Sequence, residues 1–286
     1  LATNGEQVPW ESTSLEGHFF FRLKDKNGGR VAALTPPKTI VSESAPVHQC
    51  DRMAASHQDQ NSVVPGVQNI YGIDAAIKAC REAVTLFPKE SRFIFQLGRA
   101  LVLNKDYDEG MRFLLKSAEQ GYAVAQSALG EIFQKGIGVS KDPTKSVGWL
   151  RKAAEQGNSY AQVELGKNYF DGIGVSQDYT KGFHWTRKAA EQGQDMGQYN
   201  LAHAYFTGKG TPVDYTKALY WLRQSVEQNN PRAQTLLGFM YQNGIALTQD
   251  YQAAFKLYRK AAEQGQTEGE NNLGIIYKLG LGVPKD

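Results

Sequence analysis

A 36-residue pattern recurs along the C-terminal half of this 286-residue chain and constrains its fold more than any single motif. Successive copies occupy residues 121–156, 157–192, 193–228 and 229–264, and a shorter copy occupies 265–286. A fixed period of this length is typical of supersecondary units that stack on one another, because one unit alone cannot bury its apolar face. The period predicts a repeat array, and it favours binding over catalysis as the function.

Each copy begins with a predicted helix, helix A, whose small and apolar residues keep a fixed spacing. In the second copy these residues are Ala161, Leu165, Gly166 and Tyr169. Steps of four, one and three residues keep them on one stripe of a helix. Glycine inside a helix costs up to about 1 kcal/mol relative to alanine. Its recurrence therefore predicts that a facing helix comes close.

A glycine-rich loop and a second predicted helix, helix B, complete each copy. The first glycine of the loop suits the left-handed position that ends a helix. An aspartate then stands where helix B needs an N-cap, and the four aspartates are Asp142, Asp178, Asp214 and Asp250. Helix B is also predicted to bury one large side chain. In the four copies this residue is Trp149, Trp185, Trp221 and Leu257.

Together these positions closely resemble the Sel-one-like repeat, a relative of the tetratricopeptide repeat with a longer loop between its helices. The resemblance covers residues 121–286, as four complete copies and one truncated copy. Residues 70–120 resemble shorter, tetratricopeptide-like capping units, in which Leu97 and Gly98 precede a compact turn at Asn104. The resemblance implies an all-α fold: an α-solenoid of helix-turn-helix repeats that binds a protein or peptide partner.

Residues 1–24 have a different character and predict a short strand and loop, with three phenylalanines in a row at Phe19, Phe20 and Phe21. The string ATNGEQVPWESTSLEGHFFFR, at 2–22, resembles the closing segment of bacterial caspase-like cysteine peptidase domains. That resemblance implies a C-terminal remnant of such a domain, in a fragment of a longer parent protein. The nucleophile motif of that family, Gln-Ala-Cys-x-Gly, is absent here. No catalytic residue is therefore predicted in this chain.

Residues 25–69 are rich in Pro, Ser, Gln and Gly, which predicts a linker, although the run that begins at Cys50 favours a short helix. Asp74 is the expected N-cap of the next helix. The stretch from this short helix through residue 101 resembles the N-terminal capping region of bacterial helical-repeat proteins. In those proteins paired cysteines occupy the positions of Cys50 and Cys80. That resemblance implies a Cys50–Cys80 disulfide and a periplasmic or extracellular location. The alternative is two unrelated thiols in a cytoplasmic protein.

Charge and motif spacing argue against several classes of function. A net charge of +3, with Lys and Arg spread among Asp and Glu, does not suit a nucleic-acid surface, and no apolar run is long enough to span a membrane. The Gly-x-Gly loops follow helices rather than strands, which favours helix ending over phosphate binding. The five histidines lack i, i+4 spacing and no Cys-x-x-Cys occurs. We therefore expect no metal and no small-molecule cofactor.

The best binding candidates are helix A positions that vary between copies, because the recurrent residues have structural roles. In related solenoids helix A lines a concave groove, and residues beside its apolar stripe contact peptides. That register includes Val124, Ser127 and Val163. The groove candidates are Tyr160, Lys167, Phe170, Tyr199, His203, Phe206, Arg232 and Phe239. Aromatic residues are common binding anchors, and the alternative is that they pack between successive helices.

Two functional hypotheses follow from these patterns. The first is a protein–protein interaction scaffold that binds a partner segment in the concave groove and has no chemistry of its own. The second is the C-terminal part of a caspase-family cysteine endopeptidase, whose repeats recruit substrates or regulators to a catalytic domain upstream. A spacer role in an assembly is a third option.

Overall fold

The computed structural model describes residues 46–54 and 72–283, and these residues form thirteen α-helices and no strand. The predicted all-α solenoid is therefore confirmed for this part of the chain. The predicted strand and loop at 1–24, and most of the predicted linker at 25–69, lie outside the described residues. The helices are α1 Gln49–Ala54, α2 Ile73–Leu86, α3 Ser91–Leu103, α4 Tyr107–Glu119, α5 Ala123–Lys135, α6 Pro143–Glu155, α7 Ser159–Asp171, α8 Tyr179–Glu191, α9 Asp195–Thr207, α10 Tyr215–Glu227, α11 Pro231–Asn243, α12 Tyr251–Glu263 and α13 Thr267–Leu279.

From α3 onward each helix packs chiefly against the helices before and after it in sequence. The odd-numbered helices from α3 to α13 are the predicted helices A, called A-type below, and the even-numbered helices from α4 to α12 are the B-type helices. Every helix from α3 to α13 has 13 residues. The result is an array of A–B pairs whose core runs between successive helices. None of the described helices is long and apolar enough to cross a membrane.

The recurrent glycine of helix A lies where the facing B-type helix comes closest, as predicted. A Cβ atom added to Gly130 would lie 2.6 Å from Cγ of Leu150, and one added to Gly238 would lie 2.8 Å from Cε1 of Tyr258. Contacts this short are sterically forbidden, so a side chain at either glycine would force the two helices apart. The helix propensity lost at glycine is offset by packing of the B-type side chain.

The predicted burial of the large helix B residue is confirmed only in part: Trp149, Trp185, Trp221 and Leu257 pack against the core but are each half-buried. The next residue in each copy is the one that faces helix A and is fully buried, and these residues are Leu150, Thr186, Leu222 and Tyr258. A 100° step around the helix therefore moves the tryptophan to the edge of the core. There the Lys152 ammonium lies 4.3 Å from the Trp149 ring centroid, and the Trp185 ring has Lys188 at 4.8 Å.

The predicted helix caps of the repeats are confirmed. Each of the four aspartates accepts a hydrogen bond from the backbone N–H three residues on, as Asp178 does from Lys181 at 2.9 Å. The loop glycine that follows each A-type helix from α5 to α13 has a positive φ, for example 70° at Gly172. These local caps satisfy backbone groups that would otherwise have no partner at helix ends.

The predicted N-cap at Asp74 is wrong. Helix α2 begins at Ile73, after Gly72 with a φ of 68°, and no side chain caps it. Asp74 lies inside the first turn instead, where a negative charge still interacts favourably with the helix dipole.

A pair of glutamines, not predicted from the sequence, joins the A-type and B-type helices within each complete repeat. The glutamine that follows each B-type helix from α6 to α12 donates a hydrogen bond to a buried glutamine in the preceding A-type helix, as Gln192 does to Oε1 of Gln162 at 2.6 Å. The same bond joins Gln156 to Gln126 at 2.7 Å, and it recurs at 228–198 and 264–234. Each bond satisfies a buried amide and fixes the register between helices.

The array begins with a segment of a different kind, the N-terminal cap, formed by α1, α2 and α3. Cys50 in α1 and Cys80 in α2 form a disulfide that closes a 30-residue separation. Asp51 has no solvent exposure and accepts hydrogen bonds from the Arg92 guanidinium at 3.1 Å and from the Gln96 amide at 3.0 Å. Helix α1 is thus held by a disulfide and an ion pair particular to the cap, whereas the repeats are held by contacts that recur from one copy to the next.

Candidate functional site

The A-type helices approach one another across the repeats. Helix α7 contacts both α5 and α9, and α11 contacts α13, whereas B-type helices do not meet across repeats to the same extent. The A-type helices therefore lie on the side of smaller radius. Their exposed surface on α7, α9, α11 and α13, together with the loop residue Lys209, is called the inner face below.

The inner face contains two adjoining cavities where α9 and α11 leave a gap. The first, of about 200 Å³, lies between α7, α9 and α11 and is called the basic pocket. Its lining includes Lys167, Phe170, Asp171, Tyr199, Asn200, His203, Ala204, Lys209 and Arg232. The second cavity, of about 370 Å³, lies between α9, α11 and α13. It shares Tyr199, His203 and Arg232 with the first and adds Thr235, Leu236, Phe239, Gln266, Glu268 and Asn272.

Six of the eight predicted groove residues line these cavities: Lys167, Phe170, Tyr199, His203, Arg232 and Phe239. The other two do not. Phe206 packs against Tyr215 and Phe239, with ring centroids 5.3 and 6.2 Å apart, so the packing alternative applies to it. Tyr160 is half-buried in the first turn of α7, and burial with the nearby carboxylates Glu131 and Glu164 raises the pKa of its hydroxyl.

Several other variable positions of the same register are buried or nearly buried. Val124, Ser127 and Val163 are buried, so they contact neighbouring helices rather than solvent. Thr235 is also nearly buried, and its hydroxyl donates a hydrogen bond to the backbone oxygen of Pro231. Val124, Ser127 and Val163 therefore offer no exposed surface to a partner.

The basic pocket carries more positive than negative charge. Lys167, Lys209 and Arg232 form no ion pair with a carboxylate within 4.0 Å among the described residues. Burial, and then the neighbouring Lys209, lower the pKa of His203 below its ordinary value of 6.5, so the imidazole is neutral at pH 7. Asp171 is the carboxylate in the lining.

The pocket combines these cations with aromatic surface. Tyr199 and His203 lie side by side on α9, with ring centroids 6.1 Å apart, and burial raises the pKa of the Tyr199 hydroxyl. Phe170 packs against Tyr179 at 6.4 Å between centroids. The Lys209 ammonium lies 5.7 Å from the same Tyr179 ring. A ligand there would meet ring faces and positive charge together.

Sequence reasoning missed several lining residues, Lys209 among them. Lys209 lies in the loop after α9, at the position where other copies have Ile137, Ile173, Ile245 and Leu281. A charge at a normally apolar loop position was a detectable departure from the pattern. Asn200 and Asn272 gave no such signal, because polar residues are ordinary on exposed helix surfaces.

The cavities offer groups suited to recognition. Across 46–54 and 72–283, no group of three or more His, Cys, Asp and Glu side chains could hold a metal ion. Neutral imidazole, amides, aromatic rings and cations can together bind a polar segment with an apolar side chain.

Comparison with known proteins identifies the repeat. A family model of the Sel1 repeat matches six consecutive segments, at 94–122, 123–158, 159–194, 195–230, 231–266 and 267–286. The chain belongs to the Sel1 repeat family. The first segment covers α3 and α4, for which shorter units were expected. Sel1 repeat solenoids are generally protein–protein interaction scaffolds.

Two solved structures of this kind are similar to the chain. One is a protective antigen of uropathogenic Escherichia coli with an SLR fold: identity is 33%, the TM-score is 0.66, and the match covers 73% of this chain and 45% of the antigen chain. The other is a Sel1 repeat protein from Oxalobacter formigenes, with 33% identity, a TM-score of 0.63, and coverage of 68% and 77%. The chain thus spans less than half of the first structure's length. No curated protein sequence matches it.

Proposed function

We propose that this Sel1 repeat protein binds a segment of a partner protein on its inner face, at the two cavities between α7 and α13. The observation that carries the proposal is the clustering of non-repeating residues. Tyr199, His203 and Arg232 depart from the shared pattern and line both cavities. Recurrent residues elsewhere cap helices or fill the core, so these residues are the ones available for recognition.

The exposure of an aromatic side chain also supports the inner face as the binding site. Phe239 is 40% exposed beside the second cavity, and aromatic side chains at the centre of a patch are frequent binding hot spots. The inner face also joins four consecutive repeats, so an extended segment can contact several A-type helices at once. The proposal keeps the partner segment in the concave groove predicted from the sequence.

The proposal can be tested by selecting binders from a random peptide library displayed on phage. Selected peptides are then measured against the wild type and against Tyr199→Ala with Phe239→Ala. We expect the double variant to lose binding by at least about tenfold, because truncating a hot-spot aromatic costs about 2 kcal/mol or more. A matched control is Tyr220→Ala, which changes a 58% exposed tyrosine on the B-type helix α10. Equal binding by the wild type and the double variant, at unchanged helicity, would show that the inner face is not the site.

We also propose a periplasmic or extracellular location, with a cytoplasmic one as the alternative. The support is the Cys50–Cys80 pair, because disulfides persist in oxidising compartments and are rare in the cytosol. Thiol titration of the denatured, unreduced protein checks this. No reactive thiol is expected, and two would contradict the proposal.

A second functional proposal concerns the parent protein as a caspase-family cysteine endopeptidase. Its support is the resemblance at residues 2–22, which lie outside the described part of the chain. The test is the full reading frame: a histidine and a Gln-Ala-Cys-x-Gly motif are expected upstream. A reading frame without them removes this proposal.

A further inference from the structure

Positive charge is concentrated in the basic pocket although the chain as a whole is nearly balanced. Three permanent cations, Lys167, Lys209 and Arg232, line it against one carboxylate, Asp171, which leaves two positive charges in excess. The formal net charge of the entire chain is only +3. The basic pocket therefore carries a local excess of positive charge on the inner face.

These cations differ from those that stabilise the array. Lys145, Lys181 and Lys217 each lie within 3.2 Å of the aspartate that caps their own helix. Arg187 and Arg259 pair with a glutamate one helical turn away. No such carboxylate pairs with the pocket cations among the described residues, so their charge is available to a ligand.

The positions of the three cations suit a segment rather than a single ion. Lys167 belongs to α7, Lys209 to the loop after α9, and Arg232 to the first turn of α11. The rings of Phe170, Tyr199 and His203 lie among them. A carboxylate can therefore contact a cation while a neighbouring side chain of the same segment lies on aromatic surface.

We infer that the basic pocket binds an acidic segment of a partner protein, in which an aspartate or glutamate stands close to an aromatic or large apolar residue. This rests on the proposed function and specifies its ligand class. Charge complementarity carries the inference: carboxylates supply the opposite charge that the pocket lacks. The rings favour a partner that also carries an apolar side chain over a purely charged one.

The first experiment determines the sequences of the peptides that are selected on the wild-type protein and measures which amino acids are enriched in them. We expect enrichment of Asp and Glu near Phe, Tyr, Trp or Leu, and depletion of Lys and Arg. Peptides without acidic enrichment that still lose binding in Tyr199→Ala with Phe239→Ala would overturn this inference and leave the proposed function standing. Failure to select any peptide that depends on the inner face would overturn the proposed function as well.

The second experiment measures one selected acidic peptide by fluorescence anisotropy against charge-reversed proteins. Lys209→Glu with Arg232→Glu is expected to weaken binding by about a hundredfold, as each lost charge-assisted contact contributes about tenfold. The matched control, Lys116→Glu with Lys256→Glu, makes the same change of net charge on the exposed surfaces of α4 and α12. It should change affinity by less than about threefold, since charges beyond a Debye length of about 8–10 Å are screened.

Two outcomes of the second experiment contradict the inference. Equal weakening by both charge-reversed proteins would mean that only net charge matters. Competition by a single-stranded oligonucleotide as strong as by the peptide would identify a phosphate-bearing ligand instead. A peptide with Asn and Gln in place of its Asp and Glu should bind at least about tenfold more weakly, and unchanged binding would also overturn the inference.

Discussion

The N-terminal cap and the inner face use the same kinds of residue in opposite ways. In the cap, the Arg92 guanidinium is nearly buried and bound by the fully buried Asp51. On the inner face, Arg232 is exposed and has no carboxylate partner in the described part of the chain. The difference indicates that charges in the cap stabilise the fold, whereas charges on the inner face are available for binding.

The largest effect is expected from Asp51→Ala. Removing the carboxylate withdraws hydrogen-bond acceptors from Arg92, from Gln96 and from the backbone N–H of His48. Loss of one partner of a buried ion pair costs about 3–5 kcal/mol, and urea denaturation would measure it. Glu109→Ala is the matched control, because its ion pair with Arg81 is exposed and should contribute no more than about 1 kcal/mol. Equal losses in the two variants would contradict the distinction between cap and surface.

Removal of the disulfide tests whether the cap depends on a covalent link. Cys50→Ala with Cys80→Ala opens a loop of 30 residues, and the chain-entropy model gives a destabilisation of about 3–4 kcal/mol. We expect thermal unfolding of the cap to separate from that of the later repeats, because each repeat contacts only its neighbours. A single unchanged transition would show that the disulfide adds nothing to the packing of α1.

Two glycine substitutions compare core and surface within one repeat. In Gly130→Ala the new Cβ would meet the Leu150 side chain at 2.6 Å, and overpacking of this kind costs about 1–3 kcal/mol. Gly148 lies within α6 with nothing near its missing Cβ, so Gly148→Ala should stabilise by about 0.5–1 kcal/mol. Melting temperatures should move in opposite directions. The same sign for both would contradict the role assigned to Gly130.

The substitution Arg232→Glu tests whether Arg232, unlike Arg92, contributes little to the stability of the fold. Because Arg232 has no ion pair to lose, its reversal should alter the free energy of unfolding by no more than about 0.5 kcal/mol. The acidic peptide should nevertheless bind more weakly. A loss of stability comparable to that of Asp51→Ala would assign Arg232 a structural role.

The smallest expected effect on stability comes from Glu164, a carboxylate of α7 that has no counterpart of the Arg92 and Gln96 hydrogen bonds to Asp51. Burial, opposed by Lys167, raises the pKa of Glu164 in the folded state. The folded state then binds more protons than the unfolded state, so stability falls as pH rises through the ordinary range of a glutamate. Glu164→Gln should therefore melt slightly higher than the wild type at pH 7 and equally at a pH of about 3.5. A lower melting temperature of the variant at pH 7 would contradict the shift.

Features that depend on a few neighbouring residues could be predicted from the sequence. The aspartate N-caps and the glycine helix ends are examples, since both follow from backbone groups within one turn. The failure at Asp74 has a local cause too, because the left-handed Gly72 precedes the helix and leaves the aspartate in its first turn. The tryptophans are only half-buried because one residue of helical rotation separates the buried position from the edge.

The sequence could not predict which of the binding candidates line a cavity and which pack between helices. Phe170 and Phe206 occupy equivalent positions of successive copies. Phe170 lines the basic pocket, whereas Phe206 packs against Tyr215 and Phe239. Register alone could not separate them, because the difference comes from Phe239 on the next A-type helix.

The sequence by itself determined the repeat, its helices and their caps, and the stripe of glycine and leucine that sets how closely helices pair. These depend on periodicity and on contacts within a turn or two of chain. The tertiary structure decided that Lys167, Lys209 and Arg232 meet at one cavity, although they are 23 to 65 residues apart in sequence. The stacking of successive repeats brings them together, and that stacking is a property of the folded array rather than of any one copy.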